Sequence, residues 1–136
     1  MATAGYSGTP LLQKLGIKPI TKLLLVNAPA NYMDLVAADI SSQLVAGRQV
    51  PDLVHIFAES IGAFDKYMTK MLPLAKKNTA ITIWVSWYKK SAPLFKDLTE
   101  EVIRNYALQN GLVDVKVCAV SEIWSGLKLV VPKALR

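Results

Sequence analysis

The sequence is poor in the residues that staple or metallate a small protein. A single cysteine, Cys118, excludes an internal disulfide, and a single histidine, His55, leaves too few soft ligands for an ordinary zinc site. Long apolar runs are also missing. Stretches such as Leu23 to Val26 span four or five residues, far short of the roughly 20 that a membrane helix needs. Residues 1–9 hold no basic residue followed by an apolar core, so no signal peptide is expected and a cytoplasmic location is the default. Acidic charge is scarce as well, with 10 Asp and Glu against 16 Lys and Arg, giving a net charge of +6. The cations are spread along the chain rather than gathered in a block. Lys66 and Lys70 share a helix face and Lys76 and Lys77 follow closely, but tracking a phosphate backbone would want aromatic or further basic residues beside them on that face. A solvated face is therefore preferred to nucleic-acid binding.

The 136 residues, 52% hydrophobic and 19% charged, suit one domain over 1–136, because a chain of about 150 residues hides roughly two-thirds of its unfolded surface. Thr9, Pro10, Leu11, Leu12, Leu15 and Gly16 give a short helix with cap, first-position proline and terminating glycine in order. It is expected as a lid on the sheet edge. Lys22 to Asn27 is too short for a helix and reads as a strand buried on both faces. Ala30 to Asp39 has helical character, Gln43 to Ala46 is a weak strand closed by Gly47, and Asp52 to Ala58 is a second buried strand.

From Ile61, the residues Phe64, Tyr67, Met68, Met71 and Leu72 recur at three- and four-residue steps, which predicts an amphipathic helix ending before Pro73. Ala80 to Trp87 reads as a strand. Thr99 caps a helix with Glu100 and Glu101 in its first turn and Val102, Ile103, Tyr106 and Ala107 facing inward, ended by Asn110 and Gly111. Val113 to Val120 and Gly126 to Val131 form a closing hairpin through Glu122 to Ser125. Alternating strands and helices imply an α/β domain with a single doubly wound, mostly parallel sheet and an antiparallel C-terminal strand. That element order resembles the class I methyltransferase-like Rossmann fold, shortened by one strand-helix unit near Gly47 to Asp52.

In such folds the turn after the first strand is rich in glycine, because bare backbone must approach the cofactor and present its amides to it. Here it reads Val26, Asn27, Ala28, Pro29, Ala30, Asn31, Tyr32, with no glycine and with a proline that removes a donor. The second strand, expected to end in an acidic residue for the ribose hydroxyls, ends in Val45, Ala46, Gly47, Arg48. A methyltransferase of the usual kind is therefore not expected, and no cofactor is assigned. Ser86 lacks the flanking glycines of a nucleophile elbow. His55, inside a central strand, reads as a core histidine satisfied by hydrogen bonds; Cys118 reads as a small buried residue, and Asp114 as solvated.

Ligands of open parallel sheets bind beyond the carboxyl ends of the strands. Those loops supply Asn27 and Tyr32, then Glu59 and Ser60, then Ser86, Trp87, Tyr88, Lys89, Lys90 and Ser91, and finally Glu122, Trp124 and Ser125. Two tryptophans and two lysines converging there suit a small anionic or aromatic ligand. The competing account is that Trp87 and Trp124 close the top of the core while the lysines are solvated.

The segments Ala4-Gly5-Tyr6-Ser7-Gly8-Thr9-Pro10-Leu11, Lys14-Leu15-Gly16-Ile17-Lys18-Pro19 and Trp124-Ser125-Gly126-Leu127-Lys128-Leu129-Val130 resemble a family of short bacterial proteins known only as a domain of unknown function. The likeness extends to Ser86-Trp87, Lys89-Lys90-Ser91 and Leu98 to Cys118. The resemblance implies a bacterial cytoplasmic protein with a methyltransferase-like sheet and no assigned activity, and it supplies no catalytic residues. Ile20 departs from it, standing where the family has a glycine after the proline.

Three functions follow as expectations. The first is a non-catalytic binding or interaction module on a degenerate methyltransferase-like fold, serving a small ligand or a protein partner. The second is an enzyme acting on a small anionic substrate, with Glu59 or Glu122 as base and Lys89 or Lys90 stabilising charge. The third, weaker, is nucleic-acid binding. A homodimer is a further expectation, since an edge strand and a Trp-Tyr loop both invite cover.

Overall fold

A computed structural model describes residues 9–45 and 49–136. In chain order it has α1 (Leu11–Leu15), β1 (Leu23–Val26), α2 (Tyr32–Val36), a 3-10 turn at Ser41–Gln43, β2 (Leu53–Phe57) and α3 (Ile61–Lys77). Then come β3 (Thr82–Tyr88), α4 (Glu100–Gln109), β4 (Val113–Ala119), β5 (Trp124–Val130) and a last 3-10 turn at Lys133–Leu135. The five strands lie in the order β1-β2-β3-β5-β4. β1, β2 and β3 are parallel, and β5 runs antiparallel between β3 and β4. Four strands thus share one direction, which is the α/β, mostly parallel sheet read from the sequence.

Residue alternation assigns the two faces. Val54, Ile56, Ile83, Val85, Leu127 and Leu129 point to one side, where Phe64 and Met68 of α3 and Ile103 and Ala107 of α4 cover them. Leu53, Phe57, Trp84 and Trp124 point to the other, beneath Leu11 and Leu15 of α1 and Tyr32 and Val36 of α2. Each such side chain contributes about 1.5–3 kcal/mol when taken from water. Helix α1 therefore lies across a sheet face and not at its edge. The indole Nε1–H of Trp84 donates to the carbonyl of Leu15 at 3.0 Å, which fixes α1 over the middle strand.

Several local expectations change. The helix start at Thr9 shifts by one: Pro10 is the capping residue of α1, and Gly16 closes it in the left-handed conformation at φ 80°. The expected second strand shrinks to one parallel bridge, Leu44 to Leu23, beside the Ser41–Gln43 turn; residues 46–48 lie outside the described part. With only that cover, β1 is half-buried beyond Leu23, not enclosed on both faces. The chain nevertheless visits the outer side of β1 at Leu44 before crossing to β2, so the strand order reverses at β1.

Helix α3 does not stop before Pro73 but runs through it to Lys77. Pro73 is exposed, so the carbonyl it fails to bond faces water, while Leu72, Leu74 and Ala75 go on packing against the core. Trp124 and Ser125 belong to β5 and not to the hairpin turn. The Ser121 hydroxyl accepts from the amides of Ile123 and Trp124 and makes a tighter turn. Asp114 is not simply solvated: it accepts from Arg104 Nε at 3.1 Å, and Arg104 also pairs with Glu100. Ile20 sits in a Lys18 to Thr21 turn and is not among the residues with positive φ. This turn has no need of glycine.

Candidate functional site

The reversal at β1 places the ligand crevice of an open α/β sheet at the carboxyl ends of β1 and β2. Asn27 ends β1 in the left-handed conformation, φ 56°. That conformation turns its carboxamide across the crevice, where Nδ2 donates to the Phe57 carbonyl at 2.9 Å and to Glu59 Oε1 at 3.1 Å. A side chain thus spans the gap in which a glycine turn would expose backbone. Pro29 has no amide to offer, and α2, which follows, has five residues, no side-chain cap at Asn31 and Asp34 in its first turn. A dipole this short, with a carboxylate at its positive end, offers an anion little.

The two tryptophans do not converge. Trp87 pairs across the sheet with Ser125, and Tyr88 pairs with Trp124. Directly opposed residues share a face, so Trp87 lies in the α3/α4 layer and Trp124 in the α1/α2 layer. Tyr88 stacks on Trp124 with centroids 4.0 Å apart, and the Trp124 ring meets the Phe57 ring edge-on at 5.1 Å. Phe57 in turn stacks on His55 at 4.3 Å. An aromatic run therefore leads from the crevice rim into the core. Phe57 was missed as part of it, although His55 and Phe57, two apart on one strand, had to share a face.

Tyr32 and Ser86 are brought together, but inside the protein. His55 bridges them, with Nδ1 2.8 Å from the Tyr32 hydroxyl and Nε2 2.7 Å from Ser86 Oγ. Both His55 and Ser86 are fully buried. Burial drives the imidazole pKa down to about 3 and raises that of the Tyr32 phenol, with a smaller contribution from Cys118. Neutral imidazole donates at one nitrogen and accepts at the other, and a hydroxyl at each end suits either tautomer. The arrangement is a satisfied buried network, and Ser86 is out of reach of any substrate.

The remaining predicted residues stay at the surface. Lys90, Ser91, Glu59 and Glu122 are exposed and Ser125 is half-buried. Lys89 is tied by its amide to the Ile123 carbonyl, and the Ala92 amide bonds back to Lys89. Glu59 and Glu122 line neither the cavity beside α3 nor the one beside the Leu44 bridge. Tyr88 stands closest in character to a ligand contact: half-buried, with its phenol raised by burial and then by the negative charge of Glu59. Cys118 is half-buried on the outermost strand β4 and not buried as expected; that partial burial still raises its thiol, against the lowering effect of Lys14 and Lys116. Among the described residues no group of three His, Cys, Asp or Glu side chains is placed to hold a metal, and no helix is long and apolar enough to cross a membrane.

No protein-family model and no curated protein sequence matches the chain. Solved structures do match its fold. A Streptococcus agalactiae protein of the NADB-Rossmann superfamily superimposes with a TM-score of 0.53 at 12% identity, over 96% of this chain and 71% of that one. The Methanococcus jannaschii fibrillarin pre-rRNA processing protein gives 0.54 at 12% identity, over 93% and 70%. LepI, determined in complex with SAM, gives 0.51 at 12% identity over 90% of this chain but 39% of its own length. Identity at this level speaks for architecture alone: the chain has a Rossmann-like α/β fold of the kind methyltransferases use.

Proposed function

We propose that the protein is a non-catalytic binding or interaction module on a degenerate methyltransferase-like fold, with its ligand site at the carboxyl edge of β1, β2 and β3. The observation that carries this reading is the Asn27 bridge to Phe57 and Glu59, which occupies the crevice that a nucleotide or S-adenosylmethionine would enter. The residues around it do not fit such a group. Pro29 withholds an amide, and Asp34 opposes negative charge at α2. What the rim offers instead is the stacked Tyr88–Trp124 pair, the free oxygen of Glu59, and the Lys89 to Ser91 turn, a combination suited to a small aromatic ligand with a polar group.

Calorimetric and NMR titration with S-adenosylmethionine, common nucleotides and aromatic carboxylates tests this directly. The expected result is no methyl transfer and no tight S-adenosylmethionine binding, with aromatic ligands shifting Tyr88, Lys89 and Trp124 resonances and losing that effect in Tyr88→Ala. Turnover of S-adenosylmethionine, or a panel that leaves those resonances unmoved, overturns it.

A further inference from the structure

At the opposite end of the sheet, the C-terminal ends of α3 and α4 converge over the start of β4 and the end of β5. Between them lies a groove of about 510 Å3, within the range of ligand clefts. Its floor is apolar, formed by Leu72, Ala75, Leu112 and Val131, and Leu135 of the last 3-10 turn stands at its side. Leu135 is 61% exposed and so is open to contact from outside the groove.

One lysine lines the groove and further cations adjoin its lining residues in sequence. Lys76 lines the groove, Lys77 follows in the same helical turn, and Lys133 precedes Leu135 in the last 3-10 turn. Arg136 is held there by its Nε–H, which donates to the Val131 carbonyl at 2.9 Å. Among the described residues the ion pairs are both made by Arg104, with Glu100 and Asp114, so these cations have no carboxylate partner. The single acidic residue of α3, Asp65, lies at the other end of the helix. Pro73 adds a further feature: lacking an amide, it leaves the Thr69 carbonyl in the groove wall without its α-helical donor. No aromatic side chain lines the groove, so it offers no platform on which nucleic-acid bases stack.

We propose that this groove docks an acidic segment of a partner protein, which seats a bulky apolar side chain between Leu72, Val131 and Leu135 while its carboxylates meet Lys76, Lys77 and Lys133. Charge complementarity selects the occupant: an apolar floor needs an apolar anchor, and the unpaired rim needs negative charge. A nucleic acid satisfies the second need and not the first.

Fluorescence anisotropy on the whole chain tests the proposal, using a short labelled peptide with two leucines flanked by glutamates, the same peptide with glutamines, and a labelled oligonucleotide. The glutamate peptide binds saturably and the glutamine peptide at least about tenfold more weakly. Leu135→Asp and the double change Lys76→Glu with Lys77→Glu each weaken binding by about tenfold or more. All these positions are exposed, and an unchanged thermal midpoint confirms that each variant folds. Absence of saturable peptide binding, indifference to Leu135→Asp, or tighter binding of the oligonucleotide overturns it. None of these outcomes bears on the Asn27 crevice.

Discussion

The Tyr32 hydroxyl and His55 Nδ1 lie 2.8 Å apart in the interior, so a helix of five residues is moored to the sheet by a polar contact inside an apolar layer. The imidazole there is neutral, its pKa lowered by burial to about 3 from an ordinary 6.5. The unfolded chain consequently binds more protons than the folded one between those values. The stability His55 contributes is fully present above pH 6.5 and is lost as pH falls towards 3, by an amount on the order of a few kcal/mol. Urea unfolding at stepped pH should show this acid limb, and His55→Leu should flatten it while lowering stability at neutral pH by leaving two hydroxyls unpaired.

Gly126 faces Ser86 across β3 and β5. A Cβ there would stand 3.0 Å from Val120 Cγ2 and 3.3 Å from the Trp84 ring. Gly126→Ala should cost about 1–3 kcal/mol through overpacking, and Gly126→Val more. Thermal unfolding followed by Trp fluorescence measures it.

Pro73→Ala should raise stability. The substitution restores an amide for the Thr69 carbonyl and removes the ring clash within α3, and the site is exposed, so no core contact is lost. Part of a proline penalty of about 3 kcal/mol should return as a higher midpoint in circular dichroism melts.

Tyr88 and Glu59 should prove electrostatically linked. Glu59→Gln removes one of the two causes that raise the Tyr88 phenol and leaves burial, the larger one, in place. The Tyr88 pKa should therefore fall in Glu59→Gln yet stay above the ordinary tyrosine value. Carbon NMR of labelled tyrosines reads it, with Tyr88→Phe to assign the signal; an unmoved pKa would separate the two residues.

The buried strands and long helices are legible in the sequence because their signals are local. Val54, Ile56 and Phe57 announce β2, and Thr99 with Glu100 and Glu101 announces α4, whose Thr99 hydroxyl accepts from the Val102 amide. Pro73 misleads because a proline on a solvated helix face costs less than the continued packing of Leu74 and Ala75 returns, and that balance depends on the sheet below. Trp124 misleads in the other direction: its turn is tightened by the Ser121 hydroxyl, which no apolar pattern records. The lack of glycine from Asn27 to Tyr32 is readable, but not what replaces it. Whether the Asn27 carboxamide reaches Phe57 and Glu59 depends on a left-handed backbone and on a neighbour 32 positions away.

The hydrogen bond from Trp84 to the Leu15 carbonyl joins positions 69 residues apart, and this separation orders events in time. Closing so long a loop is entropically unfavourable until the intervening strands have paired. During synthesis α1 leaves the ribosome before β3, and although it packs beside α2 and β2 residues, the strand that supplies its indole hydrogen bond emerges later. A helix made early is thereby docked late, and Trp84, the tryptophan it covers, is the natural optical reporter of that step.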